Sequence, residues 1–424
     1  MDRRQFIAES SLLALGSLMI PSVLAAAPGR RPVILMVSGW QDVNIGDIAH
    51  TPGLLHVLET YIPEAKIILW KLSRGAEVEQ LLHRDFPKVE IRYGSVSKDN
   101  KVEDPGILDA FEKADIMIHG SGPAVVGQRH LQAWADYSDK PFGVYGTTIQ
   151  YIKKSLQALL KKAAFVYTRE TASLKILAEH GLKGDHISFA PDATFFMNIL
   201  NEAKAERFLK DNQLVPQEFI CAIPRLRKTP YYKIRPNNAG WDEEHIKQVN
   251  ALNDSKKEID HAKLREAMIA WVRKTGYKVL VCPEMTYEVD IMDELLIDPL
   301  PADVKPKVLK RGYWLPDEAA SVYKRAHTVL SFECHSPIIA DVNETPFFYL
   351  RQPEDTIKGQ MYYDLGFDDW IFEIEQTTGK QIADRLLSVW EHYDAAKQKI
   401  REANARIAEI YRTSSAYAEQ LLEA

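Results

Sequence analysis

Short apolar runs rich in Val, Ile and Phe alternate along the chain with longer segments whose apolar positions recur at helical spacing. A strand buried on both faces reads as a continuous apolar run, so this rhythm predicts parallel sheets covered by helices on both sides. In the first half the predicted strands are 32–38, 66–72, 89–93, 115–119, 141–145, 165–168 and 186–190. Helices are predicted between them at 53–61, 107–114, 128–137 and 171–180, the last closed by Gly181 at the position that favours a left-handed residue. A charged segment, 198–217, interrupts the pattern. It resumes with strands at 219–224, 278–283, 307–312, 328–332 and 346–350 and a helix at 260–275. The last stretch, 379–422, reads as one long helix or a helix pair, with Leu386, Leu387, Trp390 and Tyr393 as a packing stripe.

The expected fold is therefore α/β, with two Rossmann-like domains, 31–205 and 216–380, followed by a helical segment, 381–424. Two such halves facing across a cleft make a glycosyltransferase-B-like arrangement, whose site lies at the carboxyl ends of both sheets. One segment breaks the rhythm. Residues 228–258 carry Pro230, Tyr231, Tyr232, Lys233, Arg235, Pro236, Asn237, Asn238, Gly240 and Trp241 and are predicted as a long insertion loop. Aromatic faces beside amides and guanidinium groups suit a sugar, with Tyr232 and Trp241 as the stacking candidates. The alternative is a surface insertion without a direct role.

Composition narrows the class. The 424 residues are 46% hydrophobic and 26% charged, with a net charge of −6 and no long basic stripe, which argues against a nucleic-acid partner. The first residues differ in kind. Arg3, Arg4 and Phe6 precede an uncharged stretch and then Ala25, Ala26 and Ala27, the layout of a cleavable export signal over 1–27, with the paired arginines of a twin-arginine address. The mature protein is expected to be periplasmic or extracellular, exported after folding, with no permanent membrane span. Three cysteines, Cys221, Cys282 and Cys334, cannot all pair within one chain and read as small buried hydrophobes on strands.

Candidate chemistry gathers in loops after strands. The first such loop carries Gly39, Trp40, Gln41, Asp42, Asn44, Gly46 and Asp47 ahead of a helix, where a glycine allows close backbone approach and a helix start offers free N–H donors. Asp47 also suits a helix cap. Then follow Gly120, Ser121 and Gly122; Thr168, Arg169, Glu170 and Ser173; Pro191, Asp192 and Ala193; Pro224 and Arg225; and the run Ser331, Phe332, Glu333, Cys334, His335. In this order and spacing the motifs resemble the polysaccharide pyruvyl transferase family, from about Arg31 to the final helix.

That resemblance implies transfer of the enolpyruvyl carbon of phosphoenolpyruvate to two sugar hydroxyls, giving a cyclic ketal. It places Asn44, Gly46 and Asp47 on the first-domain wall of the cleft, and His335 matches the histidine of the family's Arg-x-His motif at the phosphoenolpyruvate site. Where the family has arginine, however, this chain has Glu333. A carboxylate repels an acidic donor that an arginine fork would bind. Phosphoenolpyruvate is moreover a cytoplasmic metabolite. Transfer is the family activity, whereas export and Glu333 favour hydrolytic removal of pyruvate from a pyruvylated polysaccharide or oligosaccharide, so the direction stays open. Phosphoenolpyruvate is a partner only if the family reaction is retained, and a non-catalytic glycan-binding protein on the same fold is the alternative.

Glu333 and His335 flank Cys334, so on one strand they would share a face as an acid/base pair. Glu284, after the 278–283 strand, is a third acidic candidate. Gly120, Ser121, Gly122, Arg169 and Arg225 are substrate-binding candidates, with a structural ion pair to Glu170 or Asp192 as the alternative for Arg169. His119 is open between packing and site. No cofactor is expected, and the spacing of Cys282, Glu284, Cys334 and His335 gives no support to a metal centre.

Overall fold

The computed structural model describes residues 30–235 and 239–423; the expected export signal and Pro236, Asn237 and Asn238 lie outside the described residues. Seven parallel strands form the first sheet: β1 (Val33–Ser38), β2 (Lys66–Lys71), β3 (Glu90–Arg92), β4 (Ile116–His119), β5 (Phe142–Thr147), β6 (Phe165–Thr168) and β7 (Ile187–Phe189). Their order is β3-β2-β1-β4-β5-β6-β7. Six more, also parallel, form the second: β8 (Phe219–Ile223), β9 (Lys278–Val281), β10 (Val308–Lys310), β11 (Thr328–Ser331), β12 (Phe347–Arg351) and β13 (Ile371–Glu373), in the order β10-β9-β8-β11-β12-β13. Strands β1, β4, β8 and β11 are buried along their whole length, which is why they appear in the sequence as unbroken apolar runs.

Both sheets reverse their winding at one place, between β1 and β4 in the first and between β8 and β11 in the second. Connections leave such a switch point in opposite directions and open a crevice at the strands' carboxyl ends. The motif loops after β1, β4, β8 and β11 start at these crevices.

Five helices matter for the site: α1 (Ile45–Tyr61), α2 (Glu243–Thr275), α3 (His335–Val342), α4 (Gly379–Glu391) and α5 (Tyr393–Glu423). The C-terminal segment is thus a helix pair, and α5 runs back onto the first sheet's side. There Tyr411 Oη donates to Asp192 O at 2.6 Å, Tyr61 Oη donates to Ala408 O at 3.1 Å, and Tyr145 Oη lies 2.5 Å from Ser414 Oγ. Along α4, Ile382, Leu386 and Val389 are buried, and Trp390 and Tyr393 pack partly buried against the same core, so of the expected stripe these two and Leu386 are packing.

Three local expectations need correction. The long insertion loop is mostly helix: α2 starts at Glu243, not at 260, with Asp242 accepting from His245 N at 2.8 Å and Glu243 and Glu244 in its first turn. Its early turns bury only Val249 and Asn253, so they carry no apolar stripe to read. Asn253 accepts from Lys228 N and donates to Lys228 O, both at 2.9 Å, tying the preceding loop to the helix. Second, α1 begins at Ile45 and not at 53, because Asn44 Oδ1 accepts from Gly46 N at 2.7 Å and Asp47 N at 3.2 Å; Asn44, not Asp47, is the cap. Third, β11 ends at Ser331. Glu333 lies in the bend, Cys334 precedes α3 and His335 opens it. Strand alternation therefore does not put Glu333 and His335 on one face, and of the three buried, free cysteines only Cys221 lies on a strand, Cys282 following β9 directly.

Candidate active site

The walls of the crevice meet along the β1 loop. Ile45 N donates to Glu284 O at 3.0 Å, Thr286 N donates to Val43 O at 3.0 Å, and Asn44 bridges Met285 in antiparallel sense. This short backbone ladder fixes the start of α1 against the loop after β9. His335 then packs onto α1 so closely that a Cβ on Gly46 would lie 2.2 Å from its ring. Gly46 is needed for that approach.

His335 joins four elements. Its Nδ1 lies 3.3 Å from Glu284 Oε1 and 3.5 Å from Cys334 Sγ, and its Nε2 lies 3.7 Å from Asp192 Oδ2. Its ring meets that of His50, on α1, edge to face at 4.8 Å. Burial works against an imidazolium here, but Cys334, Asp192 and Glu284 outweigh it and hold His335 well above the ordinary histidine range. Glu284 is a positioning group, not a free acid. Its Oε2 accepts from His335 N at 3.2 Å, Ser336 N at 2.6 Å and Ser336 Oγ at 2.8 Å, so it caps α3 from another loop. Burial pushes its pKa up, but His335 and Ser336 pull harder and leave it low.

His50 and Asp192 complete this group. His50 Nδ1 lies 2.9 Å from Asp192 Oδ1 and 2.8 Å from Ser121 Oγ. Asp192 also accepts from Arg169 Nη1 at 2.5 Å and from Thr194 N at 3.0 Å, and these partners, His50 and His335 foremost, overcome its burial and keep it well below the carboxylate range. Arg169 is fully buried between Asp192, Glu170 at 3.7 Å and Thr148, whose Oγ1 accepts from Nε at 2.7 Å. Its expected substrate contact gives way to the ion pair named as the alternative. Gly120 and Gly122 also turn inward: Gly120 N donates to Val37 O at 3.0 Å and Gly122 N donates to Gly146 O at 3.4 Å, so neither amide is free for a ligand. Ser121 supports His50. His119 is a packing residue, stacked on Trp40 at 4.7 Å and held neutral by burial, which lowers its pKa to about 3.

Glu333 faces a second group. Its Oε1 lies 3.0 Å from Arg225 Nε, and Arg225 also pairs with Asp355, which accepts from Tyr349 Oη at 2.6 Å and pairs with Lys358 at 2.8 Å. Burial raises the pKa of Glu333; Arg225 restrains the rise and Glu284 adds to it. Arg225, expected to bind substrate, is thus committed to two carboxylates.

The second half also reaches the β1 loop through Arg235, which donates to Gln41 Oε1 while Gln41 Nε2 donates to Asp47 Oδ2. Tyr231 sits beside them: burial foremost, then Asp47, raises its pKa, while a hydrogen bond with Gln41 lowers it. Tyr232, by contrast, donates to Asn250 Oδ1 at 2.9 Å and packs on Trp241 at 5.9 Å, so Tyr231 and Arg235 reach the wall that carries Asp47. Next to this arm a cavity of about 230 Å3 is lined by Leu226, Pro230, Lys233, Ile234, Thr286 and Tyr287.

The model of the family described as polysaccharide pyruvyl transferase matches residues 44–352, from the cap of α1 through β12. The chain belongs to this family. No curated protein matches it. Among solved structures, UDP-GlcNAc 2-epimerase from Neisseria meningitidis bound to UDP-GlcNAc has a TM-score of 0.56 at 12% identity, over 92% of this chain and 100% of that one. A glycosyltransferase from Rickettsia africae gives 0.56 at 12% identity over 93% and 99%. Anabaena HepE in complex with UDP and glucose gives 0.55 at 12% identity over 92% and 98%. At such identities the likeness establishes the fold alone: a glycosyltransferase-B-like pair of parallel sheets, as the sequence rhythm predicts.

His50 escaped the sequence reading. With α1 starting at Ile45, it lies one turn beyond Gly46 and Asp47, and the i, i+4 spacing from Gly46 was the available signal. Asp355 and Lys358 gave none, since both lie on a short irregular turn after β12.

Proposed function

We propose that this protein acts on a pyruvate ketal of an envelope or extracellular glycan and removes pyruvate by hydrolysis. Family membership supports the substrate class. The observation that carries the direction is Glu333 at 3.0 Å from Arg225. A transferase needs cations to hold the carboxylate and phosphate of phosphoenolpyruvate. Here Arg225 is neutralised by Glu333 and Asp355, Lys358 by Asp355, and Arg169 by Asp192 and Glu170.

In this reading Glu333, ion-paired with Arg225 in the resting site, takes up a proton from solvent, which its burial favours, and gives it to one ketal oxygen. The C–O bond breaks to an oxocarbenium-like carbon, and water held at the Nε2 face of His335 adds to it with Asp47 as the acceptor of its proton. Collapse of the hemiketal frees pyruvate and the second hydroxyl. Tyr231 and Arg235 hold the sugar against the β1 loop. Export over 1–27 belongs to the same reading, because it places the enzyme with glycan and without phosphoenolpyruvate; a mature N-terminus near Ala26, Ala27 or Pro28 is its expected mark.

The deciding experiment incubates purified protein with several pyruvylated polysaccharides and measures free pyruvate. Release that is abolished in Glu333→Gln supports the proposal. No release from any of them, together with measurable phosphoenolpyruvate binding, returns the protein to transfer. A second reading, a glycan-binding protein without turnover, draws on the packed rings of Tyr231, Tyr232 and Trp241. It predicts glycan affinity that survives Glu333→Gln and is lost in Trp241→Ala.

A further inference from the structure

Three buried side chains from three separate elements converge where α1, the loop before residue 193 and α3 meet: His50, Asp192 and His335. A ligand atom from each lies within 4.8 Å of the others. The Nε2 atoms of both His50 and His335 are buried and have no hydrogen-bond partner among the described residues. Two orphaned imidazole nitrogens at one place are costly, since a buried polar atom without a partner forfeits its solvation.

Their surroundings prepare both rings for the same task. Nδ1 of His335 faces Glu284 Oε1 at 3.3 Å, and Nδ1 of His50 faces Asp192 Oδ1 at 2.9 Å. On His335 the ion displaces the Nε2 proton, and a carboxylate accepting from Nδ1 fixes that tautomer, the arrangement found behind metal-bound histidines; His50 offers Nδ1, the nitrogen already beside Asp192. Asp192 Oδ2, 3.7 Å from His335 Nε2, adds an oxygen; it already accepts from Arg169 and keeps a second lone pair. Asp192 and Glu284 set two carboxylates against these rings, while Arg169 pairs with Asp192 and Glu170. Such a setting favours a divalent cation.

We propose that His50, Asp192 and His335 bind a divalent metal ion of the zinc class. Two imidazoles and one carboxylate match the ligand preferences of Zn2+ and leave a coordination position for water or substrate. Zn–N bonds of about 2.0–2.1 Å require the three side chains to draw in by roughly 1 Å, within reach of small rotations about their χ angles. The ion would take His335 Nε2, the atom assigned above to hold water, and would hold that water in its place. The site nevertheless stands independently of ketal hydrolysis, because binding is measured without any substrate.

The test uses the full mature chain, stripped with a chelator and titrated with Zn2+ alone by calorimetry, then loaded with Co2+ for visible spectroscopy. One equivalent of Zn2+ is expected, with affinity falling at least 100-fold in His50→Gln and in His335→Gln and unchanged in Cys334→Ser. Wild-type Co2+ protein should show d–d bands of low coordination number without a thiolate charge-transfer band; this reading needs no variant to fold. Absence of stoichiometric binding overturns the proposal. So does binding that persists in His50→Gln, or that disappears in Cys334→Ser with a thiolate band in the wild type. Failure of pyruvate release with intact Zn2+ binding counts only against hydrolysis.

Discussion

Two buried charged groups sit side by side in the crevice, and both leave polar atoms without a hydrogen bond: Arg225 Nε and Glu333 Oε1 in one, facing each other at 3.0 Å, and the Nε2 atoms of His50 and His335 in the other. The group around Arg225, with Glu333, Asp355 and Lys358, comes entirely from the second sheet and its loops, and it pairs each charge with an opposite one. The group around His335 spans α1, the loop before residue 193, the loop after β9 and α3; among the described residues His335 Nε2 has only Asp192 Oδ2 at 3.7 Å, and His50 Nε2 makes no hydrogen bond. Pairing within one lobe serves stability, because removal of one member strands a buried charge. Open nitrogens held between two lobes are poor stabilisers and well placed for a ligand.

The largest effects should separate the two groups by kind. His335→Ala is expected to lower pyruvate release per folded molecule by about 10²–10⁴-fold, the range for loss of a group that handles protons or water, beyond any stability lost by stranding Asp192 and Glu284. Asp355→Asn should do the reverse, costing about 3–5 kcal/mol of unfolding free energy by leaving Arg225 and Lys358 short of a counter-charge. Urea unfolding and pyruvate release on both variants check this. An equal fall in release per folded molecule in the two would erase the distinction.

A pH titration of stability sharpens the His335 group, which Glu170 joins through Arg169 and Asp192. Burial pushes Glu170 up to about 7, although Arg169, Ser173 and Thr148 pull it down. The folded state therefore binds this proton more tightly than the unfolded chain, whose glutamate sits near 4.5. The contribution is fully present below the unfolded value, falls as pH rises through the folded one, and is worth up to about 3 kcal/mol. Glu170→Gln should flatten the decline in unfolding free energy between about pH 4.5 and 7. An unchanged slope would mean that Glu170 is already ionised in the fold and that the acid-rich character of the group is stronger than drawn.

The sequence showed the sheets far better than the site, for a physical reason. Parallel strands buried on both faces leave long apolar runs, so β1, β4, β8 and β11 are all visible, and with them the loops at both switch points. Helix starts set by a side-chain cap leave a single polar residue as their mark. Reading Asn44 as a ligand hid the first turn of α1 and His50 with it, and the polar first half of α2 passed for loop. The charge reversal at Glu333 was legible as chemistry. Its partner Arg225 was not, because contact between loops 108 residues apart is made only by the pairing of β8 with β11.

The smallest expected effect bears on the seam between the groups. Asn44 caps α1 through Gly46 N and Asp47 N and bridges Met285, the residue after Glu284. Asn44→Ala should cost about 1 kcal/mol of stability, the usual value of a lost cap. If α1 served only as packing, activity would follow that loss and recover at lower temperature. But α1 carries Gly46, Asp47 and His50, and its first turn sets the depth at which His335 can seat. Fraying that turn should therefore lower pyruvate release more than the folded fraction falls, roughly 10-fold, with the Arg225 group untouched. Release that tracks the folded fraction alone would show that the ladder at 43–45 and 284–286 holds the helix start without its cap.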